Sequence, residues 1–139
     1  MIQQGLTTSF KKQILLGEHD LDTDLLYIAL YTALASLGPD TTEYSVATPG
    51  QITGTGYTAG GILLTNVSVN ISGSTAYVDF NDPVWNPGAF TARGALIYNS
   101  SKSNKSIAVL DFGSDKTSTN TFTITLPANT ASSALIRIT

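Results

Sequence analysis

The chain has 139 residues, ten acidic and seven basic side chains, a net charge of −3 and no cysteine. The lack of cysteine excludes a disulfide scaffold, a thiolate metal site and a cysteine nucleophile, and the scattered basic residues form no stripe that could bind nucleic acid. Charged residues make up only 12% of the chain, about half the usual share, which favours a surface that packs against neighbours.

The first predicted element is a short helix. A Thr or Ser at positions 7–9 can cap the stretch FKKQILLG, in which Phe10 and Ile14 share a face, and Gly17 can end it. The pattern therefore predicts a helix over residues 8–16.

A strand and a long connection follow. The run LLYIALYTA is continuously apolar and contains β-branched and aromatic residues, which favours a strand buried on both faces, although its Leu and Ala residues leave a helix open. Residues 36–61 then form an irregular connection, with one short helical turn predicted around residues 39–44. A connection this long in a compact domain is usually functional, so we predict an interaction loop there.

From residue 61 onward the pattern indicates antiparallel strands. ILLTNVSVNI and TAYVDFN flank the turn SGS, and TARGALIYN and SIAVLDFG flank SSKSNK, so two hairpins are predicted. NTFTITLP alternates with period two, and SALIRIT supplies the last strand. Seven or eight strands at this spacing predict one mostly β domain over residues 1–139, an antiparallel β-sandwich with one short N-terminal helix in the segment 1–17.

The glycine-rich stretch GTGYTAGG matches a dinucleotide-binding pattern through Gly54, Gly56 and Ala59. Such a site needs a helix opening within the motif, whereas the residues that follow are alternating and β-branched. No Gly-Lys-Ser/Thr follows for a phosphate loop either. We therefore predict no nucleotide cofactor, and expect these glycines to permit positive φ angles and close backbone approach.

The other residues that could carry chemistry are few. DLDTD has the spacing of an EF-hand start, but Leu25 and Tyr31 occupy the positions that need glycine and glutamate, so an acidic turn without a metal is predicted. His19, the only histidine, is expected to be solvated. Asp79 and Asp111 interrupt apolar strands and should turn outward or toward a partner such as Arg93.

The aromatic residues are predicted to form the core; they are Trp85, Phe80, Phe90 and Tyr98. An exposed sugar-binding platform on Trp85 is the alternative. No nucleophile, metal cluster or catalytic pair of carboxylates is recognisable, so the chain is not expected to be an enzyme or to bind a membrane. No apolar run approaches the roughly 20 residues that span a bilayer, and no secretory signal is visible.

Taken together, GTGYTAGG, YVDFNDPVW, TARGALIYNSS and AVLDFGSD with the following TFTITLP resemble a family of small virion proteins from tailed bacteriophages. The resemblance covers nearly the whole chain, from FKKQILLG to the last strand. It implies a structural protein of the virion, made in the host cytoplasm: a capsid decoration or cement protein that binds the major capsid protein. A tail, baseplate or fibre component and a glycan-binding module are the alternatives.

An oligomer is expected as well. Closed symmetry is usual for homo-oligomers, and threefold sites recur over an icosahedral shell, which favours a homotrimer. The segment 1–17 and the loop 36–61 are too apolar for plain solvent-facing connections. They are therefore the predicted contact surface, with Phe10, Tyr44 and Tyr57 as candidate interface residues.

Overall fold

In the computed structural model, which describes residues 1–139, the chain forms one α-helix and ten strands that pair in three antiparallel sheets. In chain order the elements are β1 (Gly5–Leu6), α1 (Thr8–Leu15), β2 (Leu26–Tyr31), β3 (Ile62–Leu63), β4 (Ser68–Ser72), β5 (Thr75–Asp79), β6 (Val84–Trp85), β7 (Phe90–Asn99), a 3₁₀ helix (Ser100–Lys102), β8 (Lys105–Ser118), β9 (Phe122–Thr123) and β10 (Arg137–Ile138). The predicted mostly β fold with one short N-terminal helix is confirmed. The strands outnumber the predicted seven or eight because five of them have only two residues.

Helix α1 begins and ends where its local sequence indicates. The Thr7 hydroxyl accepts a hydrogen bond from the Phe10 N–H at 3.4 Å and caps the first turn. Gly17 follows the helix with a φ of +70°, a conformation that favours glycine. No helix of the chain is long and apolar enough to cross a membrane.

The largest sheet has the strand order β1-β8-β7-β2-β3. Its centre is the predicted hairpin of β7 and β8, and β2 pairs with β7 from Leu26 opposite Asn99 to Tyr31 opposite Gly94. Five of the six residues of β2 are buried, which confirms a strand covered on both faces.

Different layers cover the two faces of this sheet. One face packs on α1, on the three-stranded sheet β10-β5-β4 and on the two-stranded sheet β6-β9, around a core that includes Phe10, Val78, Trp85, Phe122 and Ile136. The other face is covered by the N-terminal residues and the long loop, through the buried side chains of Ile2, Ala35, Leu37 and Tyr44.

Three details differ from the sequence-based expectations. The helical turn predicted around residues 39–44 is limited to a single turn, in which the Thr41 N–H donates to the Gly38 carbonyl at 3.0 Å; beyond it the chain is extended, and the Tyr44 N–H donates to the Asn104 carbonyl at 2.8 Å. ILLTNVSVNI is divided near Asn66, whose φ is +52°, into β3 and β4, which belong to different sheets. NTFTITLP forms only the two-residue β9, although Phe122 and Ile124 are buried as its alternation predicts.

Candidate interaction surface

The glycine-rich stretch is a turn pressed against neighbouring backbone. Gly56, Gly60 and Gly61 have φ angles of +87°, +98° and +80°. A Cβ atom on Gly56 would overlap the Pro87 carbonyl, and one on Gly61 would overlap the Ile28 carbonyl. Positive φ and close backbone approach are therefore confirmed as the reason for glycine at these positions.

Tyr57 ties this turn to the central sheet. Its hydroxyl accepts a hydrogen bond from the Leu30 N–H at 3.0 Å and donates to Gln51 Oε1 at 2.9 Å. Gln51 Oε1 also accepts from the Gly60 N–H at 2.8 Å, and the Gln51 amide donates to the Tyr44 hydroxyl at 3.2 Å. Burial raises the pKa of Tyr57 to about 12.

The three candidate interface residues lie against the chain itself. Phe10 and Tyr44 are buried; the Phe10 ring lies 5.1 Å from the His19 ring, and Tyr44 stacks on Tyr98 at 4.5 Å. Tyr57 is half-buried and packs in the larger core. Phe10 and Tyr44 are thus used within the chain, where they hold α1 and the loop 36–61 to the central sheet, whereas Tyr57 keeps part of its surface exposed. Contact of these residues with a partner stays a prediction.

His19 is buried, so the expectation of a solvated side chain is wrong. Its Nε2 lies 2.8 Å from Gln13 Oε1, and its Nδ1 lies 3.0 Å from Asn99 Nδ2. The Asn99 amide also donates to Asp24 Oδ2 at 2.7 Å. These partners fit a neutral imidazole that is protonated on Nε2 and accepts at Nδ1, and burial lowers the pKa of His19.

Two of the three carboxylates of the acidic stretch DLDTD accept hydrogen bonds from its own backbone. Asp20 Oδ1 accepts from the Asp22 and Thr23 N–H groups at 3.2 and 3.3 Å, and Asp24 Oδ2 accepts from the Asp20 N–H at 2.9 Å. The hydrogen bond from Thr23 lowers the pKa of Asp20. No group of three or more His, Asp or Glu side chains is placed to hold a metal ion.

Two further expectations are confirmed by side-chain placement. Arg93 Nε lies 3.2 Å from Asp111 Oδ1, which confirms the expected partner of Asp111, whereas Asp79 is half-buried on β5 and makes no ion pair. The predicted core aromatics Trp85, Phe80, Phe90 and Tyr98 are all buried. Because Trp85 is buried, it offers no exposed platform on which a sugar could stack.

An apolar groove of about 770 Å³ lies between α1 and the three-stranded sheet. On the sheet side, Val69 pairs with Val78, while Ile71 and Ile138 both pair with Ala76. Since paired residues share a face, these side chains form two adjacent rows on one face. The row that contains Val78 is largely covered by the core, whereas Ile71 and Ile138 in the next row are 79% and 60% exposed.

The end of α1 continues this exposed apolar area. Leu15 is 86% exposed and lines the groove, and Leu16 beside it is also exposed. We refer to the exposed side chains of Leu15, Leu16, Val69, Ile71 and Ile138 as the outer patch.

The outer patch was not identifiable from the sequence. The stretch SVNIS of β4 does alternate, but the alternation does not tell which part of its apolar face is left without a covering layer. The groove is bordered by two basic residues, Lys11 and Arg137, and two acidic ones, Asp20 and Asp22. Such a surface is suited to burying apolar side chains of another protein. Comparisons of the chain with family models, curated proteins and solved structures gave no match.

Proposed function

We propose that the protein is a non-enzymatic structural component of a tailed-bacteriophage virion, namely a capsid decoration or cement protein that binds the major capsid protein. The observation that carries the proposal is the outer patch, a group of neighbouring exposed apolar side chains on a chain in which only 12% of the residues are charged. The largest exposed apolar patch of a protein is often functional, as a site of contact with another molecule. The resemblance of the sequence motifs to small virion proteins supports the virion as the place of that contact.

A homo-oligomer is part of the proposal, and a trimer is the expected state. A trimer matches the threefold sites of an icosahedral shell, where three copies can share one position without breaking symmetry. The contact surface expected from the sequence needs revision, because the apolar side chains of the loop 36–61 that face the sheet are used within the chain. The outer patch is the better candidate for contact.

The experiment is fractionation of virions from a phage that encodes this chain. Heads and tails are separated, and the protein is quantified in each by mass spectrometry against the major capsid protein. A decoration protein is expected in the head fraction at a copy number comparable with that of the major capsid protein. Recovery only in tails would support the tail, baseplate or fibre alternative, and absence from virions would overturn the proposal.

A further inference from the structure

We propose that strand β4 pairs antiparallel with β4 of a second copy of this chain, across a two-fold axis, so that two three-stranded sheets join into one six-stranded sheet. This inference goes beyond the assignment to a virion and does not require a capsid. It names a two-fold contact between two copies, and the expected trimer would need a separate threefold contact elsewhere on the chain.

Strand β4 has one open edge. In its sheet it pairs only with β5. The Val78 N–H donates to the Ile136 carbonyl and so points away from β4, which makes Val69 opposite Val78 a non-hydrogen-bonded pair. Backbone groups alternate along an antiparallel strand, so the N–H and C=O of Val69 and of Ile71 point to the open edge.

The open edge is only partly occupied. The Val69 N–H donates to Asp22 Oδ1 at 3.3 Å, whereas no group of the chain accepts from the Ile71 N–H. The strand SVNIS contains no charged residue, proline or bulge. Those are the features with which edge strands usually avoid pairing with other chains, so β4 is open to a partner strand beyond Asp22.

A two-fold axis through Ile71 uses the part of this edge beyond Asp22, because the register sets residues 70–72 of the two copies against each other and places Val69 opposite Gly73, where β4 has ended. In that register the Ile71 N–H of each copy donates to the Ile71 carbonyl of the other, as in a hydrogen-bonded antiparallel pair. The two Ile71 side chains meet on the same face of the joined sheet. Ile138 lies on that face as well, but on β10, two strands away from the open edge.

The contact is small. An edge-to-edge pair joins the strands in the plane of the sheet, so of the outer patch it covers mainly Ile71, whereas Leu15 and Leu16 at the end of α1 and Ile138 on β10 lie away from the open edge. Specific interfaces usually bury on the order of 1,200 Å² or more in total, so this contact lies below that range. We therefore expect association that is reversible and depends on concentration.

The lack of charge on β4 suits a second copy. The strand SVNIS carries no charged side chain, so two copies of it meet across the two-fold axis without like-charge repulsion. A strongly charged partner strand would find no complementary charge on it.

The first test compares molecular mass by sedimentation velocity for the wild type, Ile71→Lys and Leu34→Lys. Ile71→Lys places two ammonium groups opposite each other on the axis, which opposes pairing. Leu34→Lys makes the same change at a position that is 86% exposed in the turn after β2. We expect the mass of the wild type and of Leu34→Lys to rise with concentration, and Ile71→Lys to keep its lowest mass over the same concentration range. A wild type without concentration-dependent association, or an Ile71→Lys variant with the wild-type mass, would overturn the proposal.

The second test is a cross-link. The chain has no cysteine, so Ile71→Cys carries a single thiol, and the Cα atoms of a hydrogen-bonded antiparallel pair are about 5.5 Å apart, within the range of a disulfide. Mild oxidation should give a covalent dimer of Ile71→Cys and much less of a matched Leu34→Cys. Equal dimer yields from the two variants would contradict β4 pairing.

These results separate the inference from the proposed function. If the wild type pairs through Ile71 but the protein is absent from virions, the pairing stands and the virion assignment fails. If the protein is found on heads while Ile71→Lys changes neither mass nor occupancy, the virion assignment stands and the pairing fails.

Discussion

The hydroxyl of Tyr57 completes an incomplete strand pairing, and its removal by Tyr57→Phe tests how the long loop is held. Strand β3 covers the edge of β2 only at Tyr27 and Ile28. Farther along that edge, the Leu30 carbonyl accepts from the Ile52 N–H at 3.1 Å, and the Leu30 N–H donates to the Tyr57 hydroxyl at 3.0 Å. A side chain thus takes the place of a missing backbone acceptor.

The magnitude follows from what Tyr57→Phe leaves unpaired. Leu30 is fully buried, so its N–H would lose its partner without gaining water, at a cost of about 2 kcal/mol. Gln51 Oε1 would still accept from the Gly60 N–H, so the other end of the hydrogen-bond network should add little. For a chain of this size, that loss lowers Tm by roughly 6 °C.

Urea unfolding followed by circular dichroism measures this effect. Tyr27→Phe is the matched control, because Tyr27 lies on the same strand and stacks on Tyr98 at 5.9 Å, while its hydroxyl makes no hydrogen bond within the chain. Tyr57→Phe should lower the midpoint by about 1 M urea at unchanged m-value, and Tyr27→Phe should cost less than about 0.5 kcal/mol. Equal midpoints for the two variants would refute the role assigned to the Tyr57 hydroxyl.

Other predictions concern pH and backbone conformation. Burial lowers the pKa of His19 in the folded state, so the unfolded chain takes up the proton first as the pH falls. The free energy of unfolding should therefore decrease as the pH drops below 6.5. Urea titrations between about pH 7 and about pH 5 should show a weaker pH dependence for His19→Gln than for the wild type. Burial raises the pKa of Tyr57 from 10.0 to about 12, so its contribution to stability is complete below pH 10 and is lost as the pH rises toward 12. Tyrosinate absorbance during alkaline unfolding measures this loss, and a folded Tyr57 that ionises near pH 10 would contradict it. Gly61→Ala should prevent folding or lower the free energy of unfolding by more than about 3 kcal/mol, because the added Cβ would overlap the Ile28 carbonyl. Gly73→Ala is the control: Gly73 has a φ of +59° but open space around it, so urea unfolding should show a loss of only about 1 kcal/mol.

The elements that the sequence predicts well are those whose signals are local. The cap at Thr7 and the stop at Gly17 lie within one short stretch, and they bound α1 to within a residue. The β7–β8 hairpin likewise joins two apolar runs through one polar turn. In each case, neighbouring residues contain the information that decides the structure.

The features that the sequence misses depend on residues far away in the chain. His19 is buried because Asn99, 80 positions later, donates to its ring. The turn expected over residues 39–44 ends at Thr41, because Thr42 and Tyr44 make backbone hydrogen bonds to Ser106 and Asn104. Asn66 separates β3 from β4 because each joins a different sheet. A pattern within ten residues contains none of these partners.

The surface available to a partner is another feature that local sequence patterns do not predict. An apolar side chain in an irregular segment can cover the chain's own sheet or contact another protein, and the sequence pattern is the same in both cases. In the loop 36–61, Leu37 and Tyr44 are buried against the second face of the central sheet, a face that no other sheet covers. Strand β4 presents the opposite case, because its alternation is that of an ordinary half-buried strand, yet Ile71 is 79% exposed and its N–H at the open edge has no acceptor within the chain. The surface available to a partner is therefore set by where the covering layers end, and β4 is one strand that they leave uncovered.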